Sequence, residues 1–188
     1  MYQVINNLPI DYAFQSKTKD ELKLYGTWFN ENKEIRLNHL IEYVKSTPNY
    51  EHWNANFTSE SLKQLGKWLK ENIETEKIPQ DEYDKKRAEI PSYIELNDWD
   101  LTIKTRSILV DVGIYFGETF IHTHVKYKWE QYFSKVKRDV DNGHIIIKLK
   151  TNDLNPIWII LNVGLGLAKE KKDENCLYNL FKVWEDYL

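Results

Sequence analysis

Cysteine is nearly absent: Cys176 stands alone in 188 residues. A single thiol excludes an intramolecular disulfide and a cysteine-based metal site, and it suits a reducing cytoplasm. Long apolar runs are missing as well. No stretch approaches the roughly 20 residues of a membrane span, and the opening MYQVINNLPIDY lacks the charged-then-apolar layout of a secretory leader. Positive charge is not in excess. The 26 Lys+Arg face 29 Asp+Glu, a formal net charge of −3, which argues against a bulk binder of nucleic acid or of a membrane surface. There is no Gly-rich phosphate loop, no Gly-x-Ser-x-Gly elbow and no His-Glu-x-x-His pair, and no cofactor is predicted.

What the chain does have is aromatic mass, with seven Trp and 12 Tyr on an otherwise ordinary globular composition. Thr18 and Glu21 have the spacing of a capping box, and Leu22, Tyr25 and Phe29 follow at helical intervals, so a helix is predicted over 19–31. A second is predicted over 34–45 on Leu37, Leu40, Ile41 and Val44, closed by Pro48. Thr58-Ser59-Glu60 opens a third, with Leu62, Leu65, Trp68, Leu69 and Ile73 turned inward. Residues 22–32 and 62–72 echo each other at a period of 40, sharing Leu, Lys, Gly, Trp, Glu and Asn, which predicts a duplicated helical hairpin. Gly26 and Gly66, inside those helices, predict close helix–helix approach.

Residues 79–97 read as a charged connector in which a short exposed helix starts at Pro79. The longest helix is expected over 98–123, capped by Asn97-Asp98 and central to the fold because its apolar set Ile108, Leu109, Val112, Phe116, Phe120 and Ile121 covers a broad face. Val125 to Phe133 alternates with period two, Asp141-Asn142-Gly143 signals a turn and 144–150 is rich in Ile, so two or three antiparallel strands are expected. Leu154-Asn155-Pro156 starts a helix running to Glu170, with Ile157, Ile160, Leu161, Gly164 and Leu165 inward, and Asp173 caps a last one. The expectation is α+β: a helix-dominated single domain, 1–188, with one small antiparallel sheet between the central helix and the C-terminal helices. Helical hairpins would occupy 1–78, the connector 79–97, and the central helix, sheet and two last helices 98–188.

The succession Ser61-Leu-x-x-Leu-Gly-x-Trp68, Asp111-Val-Gly-Ile-Tyr-Phe-Gly-Glu118, Lys128-Trp129 and Leu154-Asn-Pro156 resembles a group of uncharacterised bacterial proteins of this size, over about 34–169. The resemblance implies a bacterial, non-secreted protein and transfers no catalytic residue. Its pattern is broken at Asp139-Val-Asp-Asn-Gly-His144, which stands where the group has a proline-bearing strand.

The sharpest chemical pattern lies on the central helix. Asp111, Glu118 and His122 fall at i, i+7 and i+11 on nearly one face, with Tyr115 on the same stripe. Glu118 and His122, four apart, could share a metal ion or a hydrogen bond, with His124 or His144 as a further ligand. The structural alternative is a set of carboxylates paired to neighbouring helix ends or to Arg106. Gly113 and Gly117 permit close approach of a ligand or, more simply, of another helix. Lys126 to Arg138 interleaves bases with aromatics as single-strand nucleic-acid platforms do, and as any half-buried strand with a lysine face does. Trp53, Trp129 and Tyr132 are candidate anchors for a partner, Trp53 serving equally to close over the first helices. Cys176 reads as a packing residue. Two functions remain from this reading. One is a cytoplasmic, non-enzymatic domain that binds another protein, such as the immunity partner of a toxin. The other is a metal-binding or hydrolytic enzyme built on Asp111, Glu118 and His122. Oligomeric state is left open.

Overall fold

Thr18 forms the capping box its spacing predicts: Glu21 N donates to Thr18 Oγ1 at 3.3 Å and Thr18 N to Glu21 Oε2 at 2.8 Å. In the computed structural model, which describes residues 1–136 and 139–188, the helix that follows does not stop at residue 31. It runs unbroken as α1 (Lys19–Lys45). Neither Gly nor Pro interrupts 30–36, and the inward stripe Leu22, Tyr25, Phe29, Lys33, Arg36, Leu37, Leu40, Val44 keeps helical spacing through that stretch. Two of its members are cations, which is why the sequence reads there as a break. The expected pair of hairpins is therefore one long helix, a loop, and α2 (Ser61–Asn72).

The 40-residue echo survives as a local device. Asn32 Nδ2 donates to Trp28 O and Asn72 Nδ2 to Trp68 O, both at 2.8 Å. The indoles then differ in setting, Trp28 Nε1 donating to Asn7 Oδ1 and Trp68 Nε1 to Thr47 Oγ1. Gly66 approaches a loop rather than a helix, since a Cβ there would sit 2.5 Å from Glu174 O. Gly26 faces the Gln131 side chain.

The connector proves to be the excursion of a two-stranded ribbon absent from the expectation. β1 (Thr75–Lys77) pairs antiparallel with β2 (Trp99–Leu101), Thr75 opposite Leu101 and Lys77 opposite Trp99. Between them, Pro79 precedes the exposed α3 (Gln80–Glu89), none of whose residues is buried. With Trp99–Leu101 in a strand, the central helix starts later than predicted, as α4 (Ile103–Thr123), and its cap is Thr102, which accepts from Thr105 N at 3.1 Å. Thr105 Oγ1 accepts from Glu74 N and donates to Glu74 O, tying the ribbon to the start of α4.

α4 is the axis of the molecule. Fifteen of its residues are buried, including Asp111 and Glu118. The second sheet has the order β3-β4-β5, all antiparallel: β3 (Trp129–Gln131), β4 (Ile145–Lys148) and β5 (Asp153–Leu154). β3 is shorter than the alternating run suggests, and the turn at Gly143 is confirmed by its φ of +85°. Lys137 and Arg138, the end of the basic-aromatic stretch, lie outside the described residues. Asn155 caps α5 (Pro156–Ala168), accepting from Trp158 N at 3.2 Å, with Pro156 in the first turn. α6 (Cys176–Glu185) follows. The N-cap of α6 is Asn175 rather than Asp173, whose carboxylate instead accepts from Asn175 N at 2.8 Å in the turn before the helix. One hydrophobic core runs from Tyr2 to Phe181 around α4. α4 and α5 pack backbone against backbone: a Cβ on Gly113 would meet Ile157 Cα at 2.7 Å. The helical approach read from Gly113 is thus realised, while Gly117 lies under the Trp129 ring.

Candidate functional site

On α4 the predicted stripe is split into two unconnected polar clusters. Asp111, with no exposed surface, is gripped by a guanidinium from α1: Arg36 Nε donates to Oδ1 at 2.9 Å and Nη2 to Oδ2 at 2.6 Å. Tyr2 adds its hydroxyl to the same carboxylate, and Arg36 Nη1 donates to Gln3 O at 2.9 Å. The two partners are pulled in opposite senses. Arg36 is held more firmly charged by its hydrogen bonds to Asp111, against the burial that opposes its charge. Burial pushes the Asp111 carboxyl up to about 6, with Arg36 acting against that rise. A two-donor fork favours the ionised pair at neutral pH. The partner is Arg36, not Arg106; Arg106 instead pairs with Asp100.

Glu118 lies two turns on, about 10 Å along the axis. Its Oε1 accepts from Lys33 Nζ at 2.5 Å and from Trp129 Nε1 at 2.7 Å. His122 stays beyond hydrogen-bond distance of Glu118. Its Nε2 is 3.8 Å from Glu118 Oε2, its side chain is 55% exposed, and its ring stacks on Phe57 at 4.8 Å. Tyr115 turns to the opposite neighbour, sharing a 2.8 Å hydrogen bond with Ser61 Oγ. His124 lies 3.3 Å from Glu185 and packs on Phe120, while His144 belongs to the sheet side. Among the described residues no three His, Cys, Asp or Glu side chains lie close enough to hold one metal ion. Asp111 is therefore kept apart from Glu118 and His122, which lie within ion-pair distance of each other.

The predicted anchors are also bound inward. Trp53 is only 2% exposed and donates to Ser61 O, so it closes over the first helices and cannot meet a partner. Trp129 is half-buried, edge-on to Phe29 at 5.1 Å, and pinned by Glu118. Tyr132 is half-buried and donates to Asp139 Oδ2 at 3.0 Å. Cys176 is buried, and burial pushes its thiol up to about 11, which suits a packing residue.

Exposed apolar surface gathers elsewhere. Trp158 is 53% and Leu165 37% exposed, where the periodicity had turned Leu165 inward. Leu161, between them, is half-buried. Beside Trp158 stand Tyr12, 45% exposed, and Val140. The signal for this face is in the sequence: PIWIILNVGLGLA holds no charged residue over the whole of α5. A helix with one face in solvent ordinarily carries charge there.

Comparison of the chain with protein-family models, with curated proteins and with solved structures gives no match.

Proposed function

We propose that the protein is a non-enzymatic, intracellular bacterial interaction domain that binds another protein, in the manner of an immunity partner to a toxin. The observation that carries this reading is the uncharged, solvent-facing side of α5, with Trp158 and Leu165 at its centre. The cores of protein interfaces are depleted in charge and enriched in aromatic residues. Two further features support it. The carboxylates that could do acid–base chemistry on α4 are held by Arg36 and Lys33, and the net charge of −3 suits a basic partner.

The test uses the tagged full chain and two variants on exposed positions of that face, Leu165→Glu and Asn162→Arg. A stoichiometric protein captured from host lysate by the wild type and lost with both variants, at unchanged melting temperature, is the expected result. An empty capture, or capture indifferent to both substitutions, overturns the reading. Sedimentation of the wild type as a dimer that Leu165→Glu dissociates would make the partner a second copy and overturn it equally.

A further inference from the structure

Among the described residues, Tyr25 is the deeply buried tyrosine whose hydroxyl has no partner. Tyr2 donates to Asp111, Tyr50 to Glu71, and Tyr115 shares its bond with Ser61. Tyr25 is 2% exposed and no hydrogen bond joins its hydroxyl to a described residue. The hydroxyl is not itself sealed off, the enclosed side-chain atoms without a partner among the described residues being His39 Nδ1 and His124 Nε2. What Tyr25 does border is a cavity of about 160 Å³ between the N-terminal segment, α1, α4, the start of β4 and α5, walled by Tyr12, Val110, His144, Trp158 and Leu161.

The walls fix the shape of a guest. His144 and Trp158 meet edge to face at 6.1 Å and 68°, and Tyr12 and Tyr25 at 6.3 Å and 70°. Val110 and Leu161 supply aliphatic surface. A cavity of about 150 Å³ is large enough for one benzene ring. Three groups able to hydrogen-bond border that volume, the Tyr12 and Tyr25 hydroxyls and the His144 imidazole, and none has a hydrogen-bond partner among the described side chains.

Charge sets the guest's polarity. Arg106 at the rim is neutralised by Asp100, to which its Nη2 donates, while its Nε donates to Leu101 O. Burial lowers His144 toward the neutral imidazole, and pushes Tyr12 up to about 12 and Tyr25 well above its ordinary value, so all three are uncharged at neutral pH. Nothing in the cavity answers a charged ligand. We propose that this pocket is a binding site for a neutral single-ring aromatic of the phenol class, its ring between Trp158 and Tyr12 and its oxygen on Tyr25 and His144.

The experiment titrates the purified full chain with phenol, toluene and benzoate, read by calorimetry and by tryptophan fluorescence. Phenol is expected to saturate one site with a Kd of about 1 mM or tighter, within reach of a seven-atom ligand. Toluene, which leaves the hydroxyls unanswered, is expected to bind at least about tenfold more weakly, as is benzoate. Tyr25→Phe removes a hydroxyl that has no protein partner, so it folds as the wild type does, loses about tenfold for phenol and leaves toluene unchanged. No saturable binding of phenol below about 10 mM overturns the site. Equal affinity for phenol and toluene, tighter binding of benzoate, or a Tyr25→Phe variant with unaltered phenol affinity overturns the assigned polarity and with it the proposal. All of these are read without a partner protein, so their failure is separate from that of the interaction reading.

Discussion

Replacing Arg36 by Met strands the Asp111 carboxylate. The side chain of Met fills much the same volume, so packing is nearly conserved and the change isolates the charge. Asp111 has no exposed surface, and the two guanidinium bonds to it, at 2.9 and 2.6 Å, disappear together with the bond to Gln3 O. Breaking one partner out of a buried ion pair costs about 3–5 kcal/mol, because the remaining charge is left without compensation. Set against an ordinary stability of about 5–15 kcal/mol, that is about a fifth of the total at the least. With a urea slope of about 2 kcal/mol per molar, the unfolding midpoint falls by about 2 M.

Two controls separate this cause from generic damage. Asp111 already sits up to about 6 when folded, against 3.8 as its ordinary value, and loss of the guanidinium raises it further. A group raised by folding contributes stability that is fully present below its unfolded value and is lost as pH rises through its folded value. The loss in Arg36→Met is therefore large at pH 8 and shrinks toward pH 5, where the stranded carboxyl takes up a proton. The second control is Arg36→Met with Asp111→Leu, which removes both charges and recovers about 3 kcal/mol relative to the sum of the single losses. A single-variant loss under about 1 kcal/mol at pH 8, equal losses at pH 5 and pH 8, or strictly additive losses would refute the argument.

Two further outcomes rest on other parts of the core. Gly113→Ala forces a Cβ to 2.7 Å from Ile157 Cα, a backbone atom that cannot swing aside, so overpacking of about 1–3 kcal/mol exceeds the helix-propensity gain of about 1 kcal/mol. Calorimetry should show its melting point lowered by several degrees, and a variant melting at or above the wild type would contradict the close α4–α5 contact. At alkaline pH, burial raises the tyrosines at 2, 25 and 115, as well as Cys176, above their unfolded values of 10.0 and 9.0. Their stability contribution is thus intact below pH 9 and drains away as pH climbs toward 12, so phenolate absorbance and loss of helical circular dichroism should rise together in one cooperative step. Titration centred at pH 10 with the helices intact would show those rings to be open to solvent.

The parts of the fold that sequence expressed well are those whose signal is local. Thr18 with Glu21, and Asn155 with Pro156, cap helices at the positions their spacing assigns, because a cap needs only the next three residues. The α+β, helix-dominated class followed from such signals. The errors fall where a distant partner decides. Lys33 and Arg36 look like a helix boundary until Glu118 and Asp111, 85 and 75 residues away, turn them into inward-facing members of the α1 stripe. The β1–β2 ribbon was missed because Thr75–Lys77 is charged and exposed, and its ladder depends on a strand beyond the α3 excursion. Three-residue strands carry too little alternation to be read alone.

The same reasoning explains why the stripe on α4 divides. Sequence spacing on one helix fixes which residues share a face, but not what that face meets. Asp111 and Glu118 do share a side of α4, and α1 crosses it, so each carboxylate finds its own cation on α1 before it can find the other. Lys33 and Arg36 are three apart, while their partners are seven apart, and that mismatch of spacing keeps the two pairs as separate struts rather than one site. The buried carboxylates of α4 thus tie it to α1 at two points, Asp111 through Arg36 and Glu118 through Lys33. The proposed interaction face on α5 and the proposed ligand site beside Tyr25 are marked instead by the absence of charge and of a hydrogen-bond partner. Neither absence belongs to a motif, and both become visible only when the neighbours of each side chain are known.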